Sequence, residues 1–575
     1  MAILAVVAGL FSGMVILVFR LAVDFVLGNW LLSEGSESFE GLPYIERFAL
    51  PVIGASLLGV LLTRLSDADR RVGVVHVMER LSRHQGYLPI RNAIVQFFGG
   101  IIALVSGQAG GREGPAIHLG AASSSLLGQA LKLPNNSIRT LVACGTAAAI
   151  AASFNTPIAG VIFAMEVVMM EYTIGSFIPV IIAAVTSTLL TYYFVGSDPA
   201  FNVAPLHLES LLEIPYIAFA GVIIGAIAAG FIFLVQAFAR FGSRPFWLRA
   251  LLAGSLTGCV AIIAPEVMGV GYDTVNGAMM GQIALSSLLL IVVLKVLTSA
   301  AAVGLGLPVG LIGPTFVIGA AVGGALGIIG GYLQPTAATS TGFYVMLGMS
   351  AMMAAVLQAP LAALLAVMEL TANPNLVLPA MLIIVVATMV TSVVFKQKGV
   401  FLSTLDTLGL QYPPDPITLH LQRAGVGSIM NRDVARLPHI CTLHDAKIAL
   451  AGKPRWIVVE TAPGEIRCVL SASDLMVYLE DQDARSVETN IEVVDATDNE
   501  EEAEQPEEVC LLDIPGERKD VVNVDIRATI EQAQQALRDV EAEALCVRRL
   551  AAPLIESVLG VITQEDINSY RETDS

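Results

Sequence analysis

Residues 110–122 of this 575-residue chain read GGREGPAIHLGAA, and residues 311–321 repeat the phrase without its acid as LIGPTFVIGAA. Gly114-Pro115 corresponds to Gly313-Pro314, and Gly120-Ala121-Ala122 to Gly319-Ala320-Ala321. Glycine lets backbone approach a ligand closely, and proline in a first helical turn costs no hydrogen bond. Each phrase therefore predicts a loop opening a helix, with unpaired N–H groups and a partial positive charge aimed at one spot. Two such ends facing each other cradle an anion. Glu113, between Gly111 and Gly114 in a long apolar stretch, would compete with that anion for the same donors. A charge at the bilayer centre costs on the order of 2.5–3.5 kcal/mol on insertion scales, so Glu113 needs a partner or a wet path. Arg112 beside it is a candidate partner.

The bilayer itself follows from composition: 55% of residues are apolar, 14% are charged and the mean hydropathy is +0.72. Residues 2–28 run straight into the first apparent span and do not read as a cleavable signal. The net charge of −18 is mostly local, because Glu480 to Glu517 holds 15 acids against one arginine, a net of −14. No basic face suggests nucleic acid. The six cysteines are scattered without CxxC spacing and read as small hydrophobes in a reducing compartment. The chain lacks H-E-x-x-H, P-loop and G-x-S-x-G patterns, which argues against an enzyme. A divalent-cation pathway would need several intramembrane carboxylates, whereas this pattern offers N–H donors and one acid.

The repeat extends beyond one phrase. Residues 144–166 align without a gap on 347–369, placing Gly145 on Gly348, Pro157 on Pro360 and Met165-Glu166 on Met368-Glu369. Residues 1–410 form an all-α polytopic membrane domain in this reading, with halves at about 1–200 and 207–410. Glycine and proline breaks interrupt its helices, which is tolerated where backbone is buried in protein or lines a polar path. Sequence leaves open whether the halves are parallel or inverted. Arg64–Arg91, Arg240–Arg249 and Lys396–Lys398 are basic and predicted to face the cytoplasm; the acidic loop Ser33–Glu46 is predicted to face outward. After a linker at 411–425, residues 426–480 and 518–575 form two similar soluble α/β units, separated by an acidic, disordered linker at 481–517. Each unit ends in a strand followed by Ser/Thr-x-x-Asp: Ser471/Asp474 and Thr563/Asp566.

Taken together, GREGP at 111–115, Gly-x-x-Gly-Pro at 310–314, PIAGVIFAMEV at 157–167 and MELT at 368–371 resemble the CLC chloride channels and proton-coupled chloride exchangers. The tail resembles the tandem CBS domains that many members carry. The resemblance implies an inverted repeat of broken, tilted helices and a homodimer in the bilayer with one pore per subunit. For a bacterial-type inner membrane, it implies a cytoplasmic CBS pair. Glu113, flanked by Gly111, Arg112 and Gly114, falls where the family has its gating glutamate, which yields to chloride by protonation or displacement. Gly310, Leu311, Ile312 and Gly313 match the second anion-facing turn, where the Leu311 and Ile312 N–H groups hold the central chloride. Three positions depart from the exchangers. Val72 replaces a chloride-touching serine, Phe401 an anion-binding tyrosine, and Val167 an inner proton-accepting glutamate; family channels also carry valine at the last.

The expected function is therefore a chloride channel or transporter, channel-like or loosely proton-coupled, needing no cofactor. The alternatives are strict chloride/proton exchange, or another anion such as nitrate or fluoride. Glu166 and Glu369 are expected to satisfy neighbouring helix ends. His118 reads as a packing or hydrogen-bonding histidine rather than a proton carrier, and Glu171, the best substitute for a relay acid, as a solvated helix end. Ser471/Asp474 and Thr563/Asp566 either bind adenosine ribose, as in related tandem units, or cap helices.

Overall fold

A computed structural model of the protein describes residues 1–28, 39–196, 201, 208, 210–333, 340–410, 421–422, 424–462, 464–492, 508–549 and 558–573. Two compact units result, one from most of residues 1–413 and one from the tail. In the first half of the larger unit lie α1 (Ala2–Val26), α2 (Tyr44–Thr63), α3 (Asp67–Arg70), α4 (Gly73–Arg83), α5 (Ile90–Val105), α6 (Glu113–Ala130), α7 (Asn135–Phe154), α8 (Pro157–Phe163) and α9 (Ile174–Phe194). The second half holds α10 (Ile214–Ala239), α11 (Phe246–Ile263), α12 (Tyr272–Met279), α13 (Leu285–Gly304), α14 (Ile312–Leu333), α15 (Thr341–Leu357), α16 (Pro360–Thr371), α17 (Val377–Met389) and α18 (Val400–Thr407). Among the described residues, nine helical stretches are long and apolar enough to cross a bilayer, interleaved with shorter apolar helices such as α5, α15 and α16. Not every proline breaks its segment as the sequence suggested: Pro51 and Pro179 lie inside α2 and α9. Each removes one helical hydrogen bond, a loss that neighbouring helices make tolerable at membrane depth.

Reciprocal contacts relate the two halves. A Cβ on Gly145 would lie 2.0 Å from the Gly120 carbonyl oxygen, and one on Gly348 would lie 2.1 Å from that of Gly319. The same glycine pair therefore lets α6 approach α7 and α14 approach α15 at backbone distance. Glu166, just past α8, accepts from the Leu361 and Ala362 N–H groups at 3.2 and 2.7 Å. Glu369, near the end of α16, accepts from Ile158 and Ala159 at 3.0 and 2.8 Å. Each acid thus serves the positive end of the equivalent helix in the other half. Helices whose ends cap each other's starts run antiparallel, and equivalent helices are antiparallel only when the repeat is inverted. The choice that sequence left open is thereby made.

The tail holds β1 (Val434–Pro438), β2 (Ile440–Thr442), α19 (Leu443–Ala451), β3 (Trp456–Ala462), β4 (Glu465–Ser471) and α20 (Ala472–Glu492), then β5 (Glu508–Cys510), β6 (Arg518–Asp525), α21 (Ile530–Val540), β7 (Ala544–Arg548), β8 (Val558–Thr563) and α22 (Gln564–Thr573). Strand β1 runs parallel to β3, which pairs antiparallel with β4; β6, β7 and β8 repeat the pattern, and β4–β6 joins the two. The acidic stretch 481–517 is more ordered than its composition implied. Helix α20 continues to Glu492, and β5 pairs with β2 while Val509, Leu511 and Ile514 enter the first unit's core. Burying those apolar side chains offsets the ordering that the acidic segments around them resist. Residues 493–507 of that stretch, 33–38 of the acidic loop and 411–420 of the linker lie outside the described residues.

Candidate anion site

The two repeated phrases meet. Gly111 and Gly310 form an isolated antiparallel bridge, each N–H donating to the other's carbonyl at 2.7 Å. A Cβ on Gly310 would lie 2.4 Å from the Gly114 nitrogen, so only glycine lets the turns touch. Helices α6 and α14 start from this bridge, with Arg112 as the N-cap of α6 and Glu113 as its first residue. The opening N–H groups of both helices lack intrahelical acceptors and face one spot.

Glu113 is 1% exposed. Its Oε2 accepts from the Gly313 N–H at 3.2 Å, so the carboxylate of one phrase sits on the helix start of the other. A Cβ on Gly111 would lie 2.0 Å from that oxygen, which explains the glycine two positions before the acid. Oε1 accepts from the Tyr272 hydroxyl at 2.5 Å. Tyr272 opens α12, its ring packed at 5.7 Å from Phe201 and 6.4 Å from Phe154, with the Arg112 guanidinium 5.5 Å over it. Sequence reasoning missed this tyrosine, which lies 159 residues from its partner. Arg112, offered by sequence as a partner for Glu113, thus lies over the ring that holds the carboxylate.

Beside the bridge lies a cavity of about 640 Å³ lined by Val72, Gly114, Gly310, Leu311, Ile312 and Phe401, among others. Four helix starts converge here: Val72 is the N-cap of α4, Phe401 lies in the first turn of α18, and α6 and α14 supply the rest. Converging positive helix ends make the cavity attractive to an anion. Neither Val72 nor Phe401 supplies a hydroxyl, and the Thr404 and Thr407 hydroxyls in the lining donate to the Val400 and Thr404 carbonyls. At the Val72 and Phe401 positions, the donors left are backbone N–H groups. Arg70, Arg71, Arg240 and Arg249 lie in the same lining, against Asp67 and Glu79, so the cavity carries an excess of positive charge. Glu113 is absent from the lining: the cavity ends at Gly114 and Gly310.

Val167 is buried in a π-helical turn, Ala164–Met169, beside the Glu166 cap. Glu171 is not the solvated helix end expected; it is 7% exposed with Oε1 3.6 Å from Arg139 of α7. His118 is not solitary either: its Nε2 lies 2.9 Å from Nδ1 of His76 on α4. In the tail, Thr563 and Asp566 bond each other, hydroxyl to carboxylate at 2.9 Å, with the Thr563 N–H also donating to Asp566 at 2.8 Å. That is helix-cap geometry. The Ser471 hydroxyl pairs with that of Ser473, and Asp474 abuts Gly516.

A polytopic helical unit with facing broken helices around a positively lined cavity defines a membrane anion transporter rather than an enzyme. The chain belongs to the CLC family, its residues 54–392 matching the family described as "Voltage gated chloride channel". It is 33% identical over 368 residues, 62% of this chain and 85% of the relative, to a Ralstonia nicotianae protein named for its likeness to the chloride channel protein ClcB. It is 28% identical over 399 residues, 68% and 84% of the two chains, to the H(+)/Cl(-) exchange transporter ClcA of Yersinia pestis. The structure of a slow cyanobacterial Cl-/H+ antiporter superposes with a TM-score of 0.63 at 22% identity, covering 72% of this chain and 99% of that one.

Proposed function

We propose that this protein conducts chloride along a path that Glu113 gates by competing with the anion, in a channel-like or loosely proton-coupled way. The observation that carries the reading is the Glu113 carboxylate on the Gly313 N–H, where the starts of α6 and α14 meet. An anion arriving from the cavity must displace that carboxylate or wait for its protonation. Tyr272 holds the closed position, and Val167, which cannot carry a proton, favours loose coupling over strict exchange. The cavity arginines come from the basic stretches 64–91 and 240–249, so the positive-inside tendency turns its mouth to the cytoplasm. In this reading the protein is a homodimer in a bacterial inner membrane, each subunit with its own pore. The tail forms a cytoplasmic CBS-like pair, with adenine nucleotide bound at Ser471 and Asp474. The mutual bonds of Thr563 and Asp566 favour a cap for the second pair.

The test is flux from liposomes holding purified protein, with chloride, nitrate, fluoride and Mg²⁺ compared while pH is recorded. Glu113→Gln should make chloride flux nearly pH-independent, and Glu113→Ala should leave an open, uncoupled path. Wild-type pH dependence persisting in both variants would overturn the gate. A second reading, transport of fluoride or nitrate, draws on the lack of side-chain hydroxyl donors at Val72 and Phe401, because selectivity follows the groups that replace the ion's hydration shell. Faster fluoride or nitrate than chloride flux would establish it.

A further inference from the structure

Coupled transport needs a titratable route between the cavity and Glu113, and Val167 supplies none. We propose that the buried pair His76–His118 is that route, passing protons between the cavity and the gate. The inference rests on Glu113 as the gate and adds a path to it.

His76 is 4% exposed and lines the cavity; His118 is fully buried, five residues into the helix that Glu113 opens. Nδ1 of His76 and Nε2 of His118 are 2.9 Å apart, with ring centroids 5.2 Å apart and planes tilted by 36°. Nδ1 of His118 is buried with no hydrogen-bond partner among the described residues, although buried polar atoms are ordinarily matched. A histidine used only for packing has no need of such a nitrogen; a relay does. Five residues of helix rise amount to roughly 7.5 Å along the axis, the distance the proton must still cover to Glu113 through water that enters when the carboxylate swings toward the cavity.

The protons balance in three moves. Cavity water gives a proton to Nε2 of neutral His76; His76 passes the proton on its Nδ1 to Nε2 of His118; His118 releases the proton on its own Nδ1 toward Glu113. Each passage leaves both rings in the opposite tautomer with the hydrogen bond between them reversed. The pair must reset before the next proton, so the relay is slow compared with anion flow.

Other charges near the pair have roles of their own. Beside His76, Glu79 bonds Arg71, and Arg80 donates to the Tyr87 carbonyl, with His84 closing α4. From the elements packed on α4, Asp406 of α18 bonds Lys398, and Glu166 caps α16. Around α6, Asp24 of α1 faces Arg20, Arg91 of α5 faces Asp69, and α7 contributes the Arg139–Glu171 pair. The carboxylates are therefore engaged, and the two rings remain as the proton-carrying groups that link cavity to gate.

The test records chloride and proton fluxes together in liposomes under a chloride gradient. Wild type should move protons against their gradient. His118→Gln, which keeps an amide hydrogen bond but cannot titrate, should lower proton flux at least tenfold with chloride flux within twofold, and His76→Gln should lower the proton-to-chloride ratio at least tenfold. His76→Glu, titratable again at the cavity end, should restore proton movement. A merely structural pair would leave the proton-to-chloride ratio unchanged, and an unchanged ratio in both glutamine variants overturns the relay. Should His76→Gln abolish chloride flux as well, His118→Gln and His76→Glu decide: loss in the first with retention in the second supports the relay, and any other combination overturns it. Wild type that moves chloride without protons overturns the relay and leaves the gate standing; wild type that moves no anion overturns the gate itself.

Discussion

Tyr272→Phe removes one hydroxyl and keeps the ring that packs between Phe154, Phe201 and Arg112. The lost contact is the 2.5 Å bond to Oε1 of Glu113, while the Gly313 bond to Oε2 persists. A hydrogen bond to a charged group contributes about 1.5–3 kcal/mol net. In the proposed gate Glu113 and a chloride ion compete for the same donors, so weakening the closed carboxylate by that amount should favour chloride by roughly ten- to a hundredfold. Chloride efflux from liposomes, followed over a wide range of chloride concentrations, reads the effect as a fall of tenfold or more in the half-activating concentration. Maximal flux should change less, because the open path is untouched. Glu113→Ala in the same assay should lose the dependence that the tyrosine modulates. An unchanged half-activating concentration in Tyr272→Phe, with Glu113→Ala behaving as expected, would refute the latch.

Phe401→Tyr places a hydroxyl at a cavity end that otherwise offers backbone donors; calorimetry should show chloride binding about tenfold tighter, from about 1.5 kcal/mol per charged hydrogen bond. Glu369→Ala leaves the first N–H groups of α8 without their carboxylate, so thermal unfolding in detergent should show a loss of about 1–3 kcal/mol, matched by Glu166→Ala at the equivalent end of α16. Glu40, exposed on one face, is pushed up to about 7 from 4.5 by burial of the rest and then by Asp273. Because folding raises the affinity of that carboxyl for its proton, its favourable contribution is present below pH 4.5 and lost as pH rises through 7. Glu40→Gln should therefore melt higher than wild type at pH 8 but not at pH 4, with the difference shrinking in high salt.

Much of the candidate site was legible because its signals are local. A Gly-Pro turn that opens a helix, a carboxylate where a bilayer disfavours one, and a phrase written twice are all short-range facts. Glu166 and Glu369 were readable as caps because equal positions in a repeat imply equal duties. The tail's two units announced themselves by the strand-then-cap ending at Ser471 and Thr563. Where composition stood in for contacts, the reading failed: β5 and the end of α20 lie in a stretch judged linker by its charge, and Glu171 faces Arg139 rather than water.

Tyr272 and His76 were out of reach for a different reason. Each gains its meaning from one atom on a helix that is distant in sequence, 159 residues away for the tyrosine and 42 for the histidine. Periodicity reports which face of a helix is apolar, but says nothing about which residue of another helix will stop opposite it. That is decided by the close glycine approaches that dock α6 against α7, α14 against α15 and the two turns against each other. The residues thus dictated an acid amid opposed helix starts in a bilayer. The tyrosine on the Glu113 carboxylate and the paired histidines came only with packing, since backbone-distance docking sets which side chains meet.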